Sequence, residues 1–230
     1  MEKLIYIIEH MPSQLPEDFE KALLNDVVPA MRLRGARQIT ANIADMNDKV
    51  ETDRTRTERI HGDWHKVAGA VHFWLNSLDT RDRIEELLTP ISGNMSGYLV
   101  TESLVQGCER TWSGTVRRPG VTQFALGKKP AHVTDEHFYH HWQDIHGPWS
   151  FQLHPRRQSY VRNAVARCLT SGAASWRFIV LEHFAELEDF TDEDRYYANE
   201  EVVSKLWQDV PEFLDLTDYA GGPMSEYFFE

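Results

Sequence analysis

The sequence predicts an α+β chain built from two tandem ferredoxin-like units, each running β-α-β-β-α-β. Three observations predict it. Short β-rich runs and helical stretches follow one another in the same order twice. Phe19 and Pro29 recur as Phe138 and Pro148, both 119 positions on, and Asn42 recurs as Asn163 at nearly the same offset. Near the ends of the copies, Thr101-Glu102 is matched by Ser225-Glu226. Repeats of this length denote two copies of one unit, not a solenoid. The units are placed at residues 1–106 and 120–230, with a Gly-containing, apolar-poor linker between them.

In the first unit, Leu4 to Ile8 is a β-rich run and reads as a strand. Pro16 opens a helix running to about Arg32, its apolar side formed by Phe19, Leu23, Leu24, Val27 and Val28. Arg37 to Ala44 is a second strand. Asp45 to His65, dense in charge, is expected to be a long surface loop. Ala68 to Leu75 is a strand, Leu78 to Leu88 a helix, and Gly97 to Ser103 a strand. In the second unit, Val121 to Leu126 is a strand and Asp135 to Trp149 a helix. Strands follow at Ser159 to Arg167 and Phe178 to Phe184. Helical material fills Asp192 to Phe213, and Met224 to Phe229 is the last strand.

Of the 230 residues 41% are hydrophobic, with seven Trp, enough for a substantial core. The formal charge of −12 argues against nucleic acid and against an anionic membrane surface, both of which demand basic residues. No apolar run approaches the roughly 20 residues of a spanning helix, and Leu4 to Ile8 is too short for the core of a signal peptide. Cys108 and Cys168 lack CxxC spacing and read as free thiols of a reduced, cytoplasmic compartment.

The stretch from Thr134 to Asn163 carries the candidate chemistry. Thr134 suits an N-cap, and Asp135 and Glu136 suit the first turn, where carboxylates meet the positive end of the helix dipole. Phe138, Trp142, Ile145 and Trp149 recur at helical spacing and mark a buried face. His146 lies one turn after Trp142, and Pro148 is expected to end or kink the helix there. At offset 119 His146 stands opposite Val27 and Trp142 opposite Leu23, so only the second copy keeps a polar ring.

Phe138-x3-Trp142-x3-His146-x-Pro148, followed by Tyr160-x2-Asn163, resembles the EthD family over roughly Val121 to Arg167. The resemblance implies ferredoxin-like units whose sheets pair into a dimeric α+β barrel, here supplied by one chain. It implies chemistry more loosely. Relatives include fungal enzymes thought to dehydrate or decarboxylate polyketide-derived aromatics, and neighbouring barrel families hold cofactor-free monooxygenases, polyketide cyclases and haem proteins. One fold hosts many sites.

His146 is the leading acid/base candidate, since imidazole titrates near neutrality. Tyr160 is a donor to a developing oxyanion. Tyr160 and Asn163 lie three apart on a strand and are expected on opposite faces. Trp142, Asn163, His72 and Trp74, which share a strand face, and His183 and Glu102 are the candidate substrate contacts; Glu226 is the counterpart of Glu102. His137 and His141, four apart on one helix, have a spacing that can bind zinc, but the HExxH pattern is absent and no metal is expected. No cofactor is expected either, haem being supported only by spare histidines. The expected function is a cofactor-free lyase, a dehydratase or decarboxylase, acting on a small apolar or aromatic carbonyl compound. A cofactor-free monooxygenase and a non-catalytic binding protein are the alternatives. Exposed barrel edges predict a homodimer.

Overall fold

The computed structural model describes residues 1–50, 58–112 and 115–230. Parts of the expected 45–65 loop and of the linker lie outside the described residues. Eight strands form one closed antiparallel barrel: β1 Glu2–Glu9, β2 Arg37–Ile43, β3 Val67–Leu75, β4 Asn94–Gln106, β5 Val121–Gly127, β6 Arg157–Cys168, β7 Phe178–Phe184 and β8 Tyr219–Phe229. Around the barrel they run β1-β3-β2-β8-β5-β7-β6-β4 and return to β1. Strands β1 to β4 are contiguous on one side and β5 to β8 on the other. The seams between these groups are β2–β8 and β4–β6. Every strand is paired on both sides, so the open sheet edges that predicted a homodimer are absent among the described residues.

Alternation assigns the faces. On β1, Leu4, Tyr6 and Ile8 point outward into a core with Phe19, Leu23, Val28 and Ile84 of the covering helices. Ile5 and Ile7 point inward and join Val100, Phe124, Leu126, Ile179, Leu181 and Met224, which fill the bore. The second half covers its outer face with Phe138, Trp142, Tyr160, Phe178 and Phe213.

The two long helices depart from expectation in the same way. Residues 16–33 and 135–153 are each continuous, yet each holds a π-helical turn, at Ala22–Val27 and at His141–His146. Their prolines explain it. Pro29 and Pro148 stand in the first turn of the α segment that follows. A proline lacks an N–H, and its ring clashes with the carbonyl four residues back; widening the turn to an i→i−5 pattern relieves both. Accordingly the Val28 N–H donates to the Leu23 carbonyl and the Gly147 N–H to the Trp142 carbonyl. The helix therefore continues through Pro148 to Leu153, and His146 is a mid-helix residue, not a terminal one. The widened turn also rotates Ile145 out of the apolar stripe, leaving it 44% exposed. A Cβ at Gly147 would lie 2.6 Å from the Arg162 guanidinium that donates to the Trp142 carbonyl, so a larger residue there would displace that flexible side chain.

The 45–65 segment is more than a surface loop. Asn47–Val50 is helical, and Met46 and Val50 are buried. His61 pairs with Gly221 of β8 through two backbone hydrogen bonds. That pairing delivers Trp64 into the end of the bore, fully buried and 5.8 Å from Phe124. Arg59 is anchored on the Phe190 carbonyl and lies 4.0 Å above the Tyr196 ring. Gly222 makes room for the indole: a Cβ there would sit 2.2 Å from Trp64. Gly222→Ala is therefore expected to lower stability by about 1–3 kcal/mol, an overpacking cost. An unchanged urea midpoint in that variant would show that Trp64 is not wedged.

Candidate functional site

Five charged or hydrogen-bonding pairs meet at the barrel end where β1 begins. Lys3 is buried and its ammonium donates to the Glu102 carboxylate. Burial pushes the Lys3 pKa down, and Glu102 pulls against that shift. Arg118, also buried, binds Glu226 Oε1 at 2.9 Å and Ser159 Oγ at 3.2 Å. His72 Nε2 lies 3.0 Å from Asn42 Oδ1. Thr122 Oγ1 is 2.9 Å from His183 Nδ1. Around these groups is a hollow of about 290 Å³, walled by Trp74, Trp112, Phe228, Leu104 and Leu181 and lined also by Lys3, His72, Glu102, Arg118 and Glu226.

The barrel positions these side chains by register. Glu102 on β4 faces Asn163 on β6, and Glu226 on β8 faces Asn42 on β2, so each seam carries one carboxylate beside one amide. Both asparagines are fully buried inside the barrel. Asn163 Nδ2 donates to the Ile179 carbonyl. Asn42 Nδ2 and Asn163 Oδ1 have no protein partner among the described residues. A buried donor and a buried acceptor left unmatched mark a place that takes a polar atom.

The histidines differ in what remains free. His183 donates from Nε2 to the Pro119 carbonyl at 2.9 Å, which leaves Nδ1 to accept the Thr122 hydroxyl. Burial, reinforced by Arg118, pushes its pKa down to about 3, so it is neutral with both nitrogens engaged behind the wall of the hollow. His72 lines the hollow itself; burial and then Lys3 hold its pKa well below the usual value. With Nε2 directed at Asn42 Oδ1, the neutral ring keeps its Nδ1 lone pair for another partner.

The other expected residues sit elsewhere. His146 is on the outer side of the barrel, in the helix layer, and lines neither barrel mouth. Its Nδ1 donates to Asp209 Oδ2 at 2.6 Å, and His141 Nε2 meets the other Asp209 oxygen at 2.8 Å. Burial works to raise the Asp209 pKa, but the two histidines outweigh it and hold the carboxyl low. The His146 ring packs 4.6 Å from Phe213, and its side chain is 12% exposed. Tyr160 and Asn163 do face opposite sides. Tyr160 is buried with Trp142 and Phe138 on the helix side, under the Arg157 guanidinium at 4.2 Å, and burial raises its pKa. The expected group therefore divides: His72, Trp74 and Glu102 share the hollow with Asn163 beneath it, while His146, Tyr160 and Trp142 lie outside. The space between that outer helix and the sheet is packed with the rings of Phe138, Trp142, Phe178 and Phe213.

Sequence reasoning missed Lys3, Arg118, Trp112 and Asn42 as site residues. The last three read as linker or as a structural echo of Asn163. Arg110 and Arg118, two cations flanking Trp112 in an acidic chain, were the available signal for the linker.

An anthrone oxidase-like protein matches with a TM-score of 0.60 at 11% identity, covering 100% of this chain and 92% of that one. A candidate monooxygenase from Fusobacterium nucleatum matches at 0.56 and 9% identity, over 100% and 92%. A chlorite dismutase variant from Candidatus Nitrospira defluvii matches at 0.55 and 10% identity, over 100% and 91%. These chains share the overall fold, a barrel covered by helices, along almost their whole length. At these identities the likeness shows the fold alone. No protein-family model matches the chain, and no curated protein is similar to it. No helix among the described residues is long and apolar enough to cross a membrane.

The buried neutral imidazoles make a pH prediction. His154, whose pKa burial pushes down to about 4, and His183, at about 3, both titrate near 6.5 when unfolded. Between those values the unfolded chain binds more protons, so their stabilising effect is complete above about pH 6.5 and is lost as pH falls. Each contributes about 1.4 kcal/mol per pH unit at most. Stability is expected to drop by roughly 2–4 kcal/mol between pH 7 and pH 5, and His154→Gln should shrink the drop. Equal urea midpoints at the two pH values would contradict this.

Proposed function

We propose that the protein is a cofactor-free enzyme that moves protons on a small aromatic carbonyl compound, a lyase of the dehydratase or decarboxylase type, with the substrate in the barrel-mouth hollow. The observation that carries the reading is the convergence there of an aromatic wall, two buried cations and a neutral imidazole. Trp74, Trp112 and Phe228 would hold a flat apolar body. Lys3 or Arg118 would meet the charge that develops on a carbonyl oxygen. His72, neutral and with a free lone pair, would take the proton next to that carbonyl and, as the imidazolium, return it to the leaving hydroxyl. The unmatched Asn42 and Asn163 atoms would take a polar substituent or a bridging water.

The chain is on this reading a tandem EthD-like protein whose copies occupy 1–106 and 120–230. The π turns at Ala22–Val27 and His141–His146, 119 positions apart, support the duplication. A second reading keeps His146 as the acid/base, with substrate entering from the helix side. The Asp209–His146 hydrogen bond favours it, since a carboxylate on Nδ1 fixes the tautomer that leaves the Nε2 lone pair free. The oxygenase alternative gains some weight from the anthrone oxidase-like and monooxygenase-type proteins that share the fold.

The test uses a panel of aromatic β-hydroxyketones, β-keto acids and anthrones, followed by product mass and oxygen uptake. Turnover is expected to lose water or carbon dioxide equally under nitrogen and under air. His72→Ala should cost about 100-fold or more in rate, the usual weight of a positioned base, while His146→Ala should leave most of it. The reverse order of the two variants would move the chemistry to His146, oxygen-dependent turnover would make the protein an oxygenase, and no turnover with any class would leave a binding protein.

A further inference from the structure

The outer helix layer of the second half carries a histidine–carboxylate cluster that the proposed chemistry does not use. His137 and His141 are one turn apart on the 135–153 helix, with rings 5.8 Å apart and nearly parallel. Glu212 reaches them from the 3-10 turn Val210–Glu212, which ends the neighbouring helix Glu200–Asp209. One nitrogen from each ring and one Glu212 oxygen lie within 4.8 Å of one another.

We propose that His137, His141 and Glu212 form a binding site for a divalent transition metal of the zinc class. Two imidazoles and a carboxylate are a donor set this class favours over magnesium or calcium, which take oxygen ligands almost alone. Three protein donors leave a tetrahedral ion its fourth position for water. Metal–ligand bonds of about 2.0–2.2 Å need the donors to draw in by roughly an ångström. His137 and Glu212, both half-exposed, are free to swing, and their present contact is only a 3.5 Å ion pair. His141 is the fixed member, 11% exposed and held on Asp209 at 2.8 Å. That carboxylate would serve as its outer-shell partner and hold the ring's orientation. The bound ion would tie together two helical segments some 70 residues apart in the chain, and so stabilise the layer that covers β6 and β7.

Equilibrium dialysis of the full chain with zinc chloride alone, and the visible spectrum with cobalt(II), test the site. The wild type is expected to bind one ion per chain and to melt at a higher temperature with zinc. The double variant His137→Ala/Glu212→Gln should bind at least about tenfold more weakly, the loss that outer-shell changes alone can reach, and should lose the thermal shift. His140→Ala is the control, because His140 is exposed on another face, paired with Asp144 at 3.1 Å. It should bind as the wild type does. No binding by the wild type, equal affinity in the double variant, or an equal loss in His140→Ala would each overturn the proposal.

Discussion

Closure of the barrel is the constraint from which the other features follow. Once β4 pairs with both β1 and β6, no strand can slip by a residue without turning its inward side chains outward. The eight inward rows then have to share a narrow bore. Apolar residues fill its middle, and the polar ones are driven to the end, where water or a ligand can satisfy them. Lys3, Glu102 and Glu226 gather there because each is an inward residue near the strand end at that mouth, and Arg118 comes from the connection folded over it. Taking four charges out of water is costly unless they are paired, and here each cation has its carboxylate.

The same closure explains how the chain finds room for its prolines. A long helix lying across a curved sheet must keep Phe19 or Phe138 at one end and Met31 or Leu153 at the other in contact with the strands beneath. Ending at Pro29 or Pro148 would strip half the cover from the sheet. A widened turn keeps the cover and changes only the angular phase of the residues that follow. In the second half the phase change brings His146 onto Asp209 of the adjoining helix instead of toward a strand.

Much of this was legible in advance. Short β-rich runs located all eight strands, and the shared face of His72 and Trp74 came from period two alone; which face turns inward did not. The opposite facing of Tyr160 and Asn163 followed from the same rule. What was not legible was long-range or depended on hydrogen-bond pattern. A proline inside a helical stretch reads as a stop, and nothing in local sequence distinguishes a stop from a π turn. Trp64 sits in a charged stretch whose apolar content is low, so its burial depends on the His61–Gly221 pairing, 160 residues apart. The duplication drew attention to His146, which has no counterpart in the first copy, yet the barrel brings together residues that have counterparts: Glu102 with Glu226, and Asn163 with Asn42.

Trp64 has a consequence for traffic. It stoppers one end of the bore, and the packed middle isolates the hollow at that end from the one opposite. The polar mouth is thus a blind alley. A small molecule that enters it has to back out through the doorway by which it came, so departure of one and arrival of the next cannot overlap. On the chemistry proposed above, turnover would be governed by how fast the chamber empties as much as by the bond that is broken.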